Sequence, residues 1–380
     1  MRAARKDANW GRGEPRVDDR EARTAVLRPL VGIRFIAVGA TVFHHSGSNW
    51  LSSQSWTPKI LANSAFHAQL ALGFFFVLSG FILQTLYRGR LSEKGAWRRY
   101  GVSRVARIYP VYLIGVLLMA PAYAVADWSA LPQFLLIQCW ATPGNTLEWQ
   151  NWNPPAWMLS VEFFFYLCFP LLCGLVERAP RYLLLAGVTL VALFAIVTGS
   201  VDPPTEAQRF PWMNYLPLPV LRLPEFFAGM LLAEWQARRG VRALPIPPEL
   251  SLLAFVLVLG QDSFGLQAAC AVVLATLVIL GLVNAPRAPF TRLMNTRVFL
   301  LLGAASYALY IIHEPVNFAL RTIGGGRSLL MLQYPIDLAL SIAILFLVET
   351  PARKWINARF AMIGKRRRDG AVSVVSAATF

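Results

Sequence analysis

Arg34 and His45 are the residues whose types and spacing first suggest chemistry. Both lie in RFIAVGATVFHH, an otherwise apolar stretch that follows a polar N-terminal segment. An imidazole takes or gives a proton near neutral pH, and a guanidinium offers a planar fork of donors to an anion. Eleven positions separate the two, which at about 100° per residue returns both to one helix face. At about 1.5 Å of rise per residue they stand about 16 Å apart, too far to bond to each other in a straight helix. His44 points about 80° away from that face. Titratable groups in a helix of membrane length are costly and usually face a polar interior that forms a site or a pathway. The plainer reading is an Arg that snorkels to the interface and a His that is simply hydrogen-bonded.

Further polar groups recur inside apolar runs: Ser79, Ser160, Glu162, Arg222, Glu225, His313, Glu314 and Glu349. Each alone reads as an interhelical hydrogen bond or an end group. Together they imply a shared polar cavity, because an unpaired charge in hydrocarbon costs several kcal/mol. Arg222 and Glu225 are three apart and suit a structural pair along one helix face. Arg104 and Arg107 also share a face. Two guanidiniums so placed suit a phosphorylated donor, and equally the headgroups of anionic lipid.

The elements that must hold these groups are legible from composition. The chain has 380 residues, 56% of them hydrophobic and 15% charged, with a net charge of +16. A soluble chain carries about a quarter charged residues, so this is expected to be an all-α polytopic membrane protein. Its basic residues lie in short segments between apolar runs, a pattern of cytoplasmic loops and not of a nucleic-acid face. Cys139, Cys168, Cys173 and Cys270 form neither a disulfide framework nor a zinc pattern. No metal site, internal repeat or Gly-rich phosphate loop is evident.

About ten spans are expected: roughly residues 28–48, 66–87, 108–126, 157–176, 182–200, 217–235, 250–260, 264–283, 299–320 and 328–348. The segment LPQFLLIQCW is too short to cross and reads as re-entrant. Residues 1–25 read as a disordered cytoplasmic tail, 26–350 as the transmembrane domain and 351–380 as a basic cytoplasmic tail. The cluster Arg88, Arg90, Lys94, Arg98, Arg99, Arg104 and Arg107 is expected in a cytoplasmic loop ahead of the third span. An even number of spans puts both termini in the cytoplasm, and nearly every basic segment then falls inside. Arg209, Arg321, Arg327 and Lys59 are the exceptions.

In that order along the chain, six segments resemble the membrane-bound acyltransferase 3 family, which O-acylates glycans and small molecules. They are GIR with His45 beyond it, GFFFVLSGF, RVARIYP (Arg104 to Pro110), WMLSVEFFFY (Trp157 to Tyr166), RLPEFFAG (Arg222 to Gly229) and YALYIIHEP (Tyr307 to Pro315). The resemblance covers about residues 27–350. Val31 departs from a frequent Asp, Met158 from Ser, Phe163 and Phe164 from Glu-Gln, Glu314 from Trp, and His44 from an aromatic.

The resemblance implies an enzyme of the cell (inner) membrane. It would use cytoplasmic acyl-CoA as co-substrate, with no permanently bound cofactor, and acylate a hydroxyl of a glycan, a lipid-linked sugar or a small acceptor. Membrane lipid would surround it and nucleic acid would not be a partner. His45 would then be the general base or a transient acyl carrier. Arg34, Arg104 and Arg107 would hold the donor, and Glu162 would position the acceptor, orient His45 or serve structure. His44, Ser79, Arg222, Glu225, His313 and Glu349 would form a secondary site or a framework. The competing reading is a transporter using the same Arg, His and Glu set as a proton or substrate relay.

Overall fold

The computed structural model describes residues 17–68, 71–123, 130–140, 152–180, 187, 217–239, 246–261, 264–323 and 332–360. These fold as helices: α1 Val17–Ser52, α2 Lys59–Phe66, α3 Ala71–Tyr87, α4 Ala96–Tyr123, α5 Leu131–Leu135 and α6 Trp157–Arg178. After them come α7 Leu218–Arg239, α8 Pro248–Leu259, α9 Phe264–Asn284, α10 Pro289–Met294, α11 Arg297–Thr322 and α12 Gln333–Ile344. A π turn, Leu345–Glu349, continues α12, and the chain stays helical to residue 360.

Five helices among the described residues are long and apolar enough to cross a membrane, and six if α2 and α3, bent by 54°, count as one broken span. The expected fifth span, about 182–200, lies outside the described residues save Gly187. The expected seventh is the 12-residue α8, about 18 Å long against a hydrocarbon core of about 30 Å.

Three boundaries differ from expectation. The first helix begins at Val17, inside the tail expected to be disordered, because its Glu-, Ala- and Arg-rich start is made of good helix formers. The third span begins at Ala96, so Arg98, Arg99, Arg104 and Arg107 stand on helix α4 and not in a loop. No proline lies between Ala96 and Ile108, and inside the bundle Arg107 pairs with Glu349 while Arg104 lies against tyrosine rings. The last helix runs about ten residues into the expected C-terminal tail.

Small residues set the tightest crossings. A Cβ on Gly80 would strike the Phe226 carbonyl, and one on Gly229 the Val77 carbonyl, so α3 and α7 touch backbone to backbone. Gly303 meets the Val31 carbonyl in the same way, joining α11 to α1. The contacts also fix direction. Val31 with Gly303 and His45 with His313 make α1 and α11 parallel. Tyr307 to Ile108, and Gly115 to Ile311, put α4 in the same sense. Gly73 beside Glu225, with Gln84 bonded to Glu234, makes α3 and α7 parallel to each other. The site lies where α1, α3, α4, α6 and α11 converge.

Candidate active site

One cavity of about 90 Å³ gathers charged and hydroxyl side chains from five helices. α1 supplies Arg34, α3 Ser79, α4 Arg104 and Arg107, α6 Glu162 and Tyr166, and α11 Ser306, Tyr307 and Tyr310. Phe75, Leu78 and Leu83 of α3 and Met158 and Leu159 of α6 complete its wall. Helical spacing explains the convergence: Arg104 and Arg107, Glu162 and Tyr166, and Ser306 and Tyr310 each sit three or four apart, on one face of their helix.

The carboxylate of Glu162 is held in place. Its Oε1 accepts from the Ser79 hydroxyl at 3.0 Å and from the Tyr166 hydroxyl at 2.7 Å. Both bonds turn it into the cavity. The carboxylate does not contact His45: its partners are Ser79 and Tyr166, and His45 does not line the cavity.

The three arginines differ in their commitments. Arg107 Nη1 pairs at 2.8 Å with Glu349 Oε1, a fully buried carboxylate in the π turn after α12. Arg104 lies against three tyrosine rings, those of Tyr87, Tyr100 and Tyr166, at 5.6 to 6.0 Å from their centroids. Its Nε is buried without a hydrogen-bond partner. Arg34 has no carboxylate within ion-pair distance among the described residues, and Arg107, Glu162 and Glu349 are the charged side chains acting on it. Three guanidiniums against two carboxylates leave the cavity with an excess positive charge. Such a site attracts an anion, or an oxygen on which negative charge develops.

His45 stands apart, exposed at the far end of α1. Its ring centroid is 5.0 Å from that of His44 and 5.4 Å from that of His313. His44 also packs edge-on against Phe66, at 5.7 Å, and Phe66 against His67, at 5.3 Å. All four histidines of the chain thus collect at this end. Among the described residues no three His, Cys, Asp or Glu side chains come together as a metal site. Tyr310 connects the two regions: it lines the cavity, and its ring centroid lies 5.8 Å from that of His313.

Arg222 and Glu225 form the expected pair, at 2.9 Å, with Arg222 also over the Phe76 ring at 5.4 Å. The pair lies outside the cavity lining. Sequence reasoning did not single out Tyr166, Ser306, Tyr307, Tyr310 or Asp337. The position of Tyr166, one turn after Glu162, was the available signal. Asp337 is fully buried, with neither carboxylate oxygen hydrogen-bonded.

The chain also has likenesses to known proteins. The chain is 30% identical over 325 residues to an acyltransferase, MdmB, of Streptomyces mycarofaciens, which covers 80% of this chain and 82% of that one. It is 24% identical over 391 residues to the O-acetyltransferase OatA of Staphylococcus aureus, covering 92% of this chain and 61% of the relative. No solved structure matches it. A family model described as an acyltransferase domain matches residues 30–350, the stretch that contains every side chain of the cavity and of the histidine cluster. The chain therefore belongs to the acyltransferase 3 family and is an acyl-transferring enzyme.

Proposed function

We propose that this protein is a multi-pass O-acyltransferase of the cell inner membrane. It moves a short acyl group from cytoplasmic acyl-CoA to a hydroxyl of a glycan, a lipid-linked sugar or a small molecule. The observation that carries this reading is the division of the site. The arginine cavity suits an acyl donor, and a histidine cluster at the other end of α1, with His45 exposed, suits a hydroxyl acceptor. The similarity to an O-acetyltransferase supports oxygen as the atom acylated and acetyl as the group.

The topology proposed with it has about ten crossings and both termini in the cytoplasm. The basic segments support this, and so does helix direction: α4 and α11 run with α1, while α3, with α7 parallel to it, runs against α1, since Phe66 ahead of α3 packs on His44 and Ser79 shares the cavity with Arg34. The arginine cavity then opens towards the cytoplasm and His45 towards the outside.

In this mechanism Arg104 and Arg34 meet the donor. The cavity of about 90 Å³ seats only part of the donor: the pantetheine arm passes these guanidiniums from the cytoplasm and brings its thioester up to His45, about 16 Å farther along α1. The guanidiniums meet the anionic, phosphorylated part of the donor. Arg107 is anchored by Glu349 and sets the shape of the wall. His45 removes the acceptor hydroxyl proton, or carries the acyl group briefly. Glu162, with Ser79 and Tyr166, supplies the polar wall opposite the arginines.

The donor assignment has its own test in acyl-CoA kinetics on the purified protein. Arg104→Ala is expected to raise the KM for acyl-CoA about tenfold, the loss of about 1.4 kcal/mol of charge-assisted binding. Arg107→Ala should also raise this KM, through the altered cavity wall, and lower stability, because the buried Glu349 is left with only Arg353, at 3.8 Å, as its cation. An unchanged donor KM in Arg104→Ala would remove that residue from the donor site.

A further inference from the structure

We propose that His313 is a positioning residue for His45 and the group to which His45 hands the acceptor's proton. The inference rests on the acyl-transfer reading above and adds to it a second, buried imidazole.

The tautomer of His313 follows from one contact. The ring is fully buried, and Nδ1 lies 2.7 Å from the Tyr310 carbonyl oxygen. A carbonyl only accepts, so Nδ1 carries the hydrogen, and in the neutral ring Nε2 is left as a lone pair. Nε2 has no hydrogen-bond partner, and Glu314 Oε1 stands 3.7 Å from it. A lone pair facing a carboxylate is a repulsive arrangement. One proton on Nε2 turns it into an ion pair, with one ring nitrogen donating to Tyr310 and the other directed at Glu314. Full burial opposes a charge on this ring, and Glu314 is the counter-charge that offsets it.

His45 is placed to deliver that proton. Its ring centroid is 5.4 Å from that of His313, with an interplanar angle of 32°. No His45 nitrogen is bonded to His313 Nε2 in this structure, and with the rings this close a turn of the His45 side chain brings one within hydrogen-bonding reach. The backbone carbonyl of His313 accepts from Gln333 Nε2 at 3.1 Å, which ties this turn of α11 to α12. The titratable groups on the packed elements are His44 and His45 on α1, Tyr310 and Glu314 on α11, and Tyr334 and Asp337 on α12.

The step balances as follows. The acceptor O–H gives its proton to one nitrogen of His45 as the other His45 nitrogen passes its own to His313 Nε2. The acceptor oxygen bonds to the acyl carbon, the C–S bond breaks, and its electron pair goes to sulfur. His45 ends neutral, and the positive charge rests on His313 beside Glu314. That proton then leaves to water and the thiolate takes one from water, so none is gained or lost. The arrangement spares His45 from holding a charge with His44 at 5.0 Å.

The experiment measures thiol release from acetyl-CoA by the purified full-length protein, with glycerol as the hydroxyl acceptor, across a range of imidazole buffer concentrations. His313→Gln is expected to lower kcat about 10- to 100-fold, less than loss of the base itself, with the donor KM unchanged. Its remaining rate should rise with imidazole, which takes over as proton acceptor, while the wild-type rate stays flat. A kcat within twofold of wild type, or a loss that imidazole does not relieve, overturns the proposal. Should His313→Gln aggregate, Glu314→Gln decides: a lower kcat at constant donor KM supports it, and an unchanged kcat overturns it. If wild type releases no thiol, the acyl-CoA reading fails and this inference with it; if wild type turns over and both variants match it, only this inference fails.

Discussion

His45→Ala is expected to lower kcat by about 10²- to 10⁴-fold, the usual size of a general-base contribution, while leaving the donor KM as it was. The split follows from the geometry. His45 does not line the arginine cavity, so removing its imidazole takes nothing from the groups that meet the donor. It lies about 16 Å from Arg34 along α1, and the side chains around it are His44 and His313. His44→Ala provides the control. His44 packs against Phe66 and its Nδ1 has no partner, so its loss trims an edge contact and leaves the His45–His313 pair in place. Steady-state kinetics with acyl-CoA separate the two. A His44→Ala protein without activity beside an active His45→Ala protein would reverse the assignment.

The second large effect concerns stability. Glu234 is fully buried on α7 and accepts from Arg88 Nε at 2.8 Å, Arg88 Nη2 at 3.1 Å, Arg238 Nε at 2.7 Å and Gln84 Nε2 at 3.2 Å. Arg238 in turn caps the end of α6, donating to the carbonyls of Val176 at 3.2 Å, Glu177 at 2.9 Å and also Ala179. One carboxylate thus fastens α3, α6 and α7 together at the end remote from the histidines. Glu234→Ala leaves two guanidiniums without their counter-charge, a loss of about 3–5 kcal/mol. The thermal unfolding midpoint of the detergent-solubilised protein should fall by at least about 5 °C. Glu234→Gln keeps the shape and some hydrogen bonds and should fall less. A midpoint unchanged in Glu234→Ala would mean that the network is incidental.

Periodicity was enough to see that Arg34 and His45 share a face and cannot touch, because rise and twist per residue fix both. It was also enough for the Arg222–Glu225 pair, a local contact within one helix. The expected start of α4 and the expected end of the last helix, which continues past α12 to residue 360, failed for a common reason. Basic residues suggest loops, whereas Arg104 and Arg107 are carried into the bundle on a helix, Arg104 against three tyrosine rings and Arg107 paired with Glu349. The association of His45 with His313 was out of reach, since 268 positions separate them and only the packing of α11 on α1 brings them together. The same holds for Ser79 and Glu162, which meet across α3 and α6. What a single helix dictates can be read from spacing; what depends on which helices become neighbours requires the fold.

The proposed division of the site into a donor cavity and a hydroxyl-acceptor end is tested most directly by acyl-CoA turnover. Purified protein is incubated with acetyl-CoA labelled in the acetyl group, with and without a hydroxylated acceptor such as glycerol, and both free thiol and labelled ester are followed. The expected result is thiol release that the acceptor stimulates, with label appearing on the acceptor oxygen and both signals lost in His45→Ala. Donor turnover that is the same in His45→Ala, or no binding and no turnover of any acyl-CoA, would contradict it, the latter in favour of a transporter.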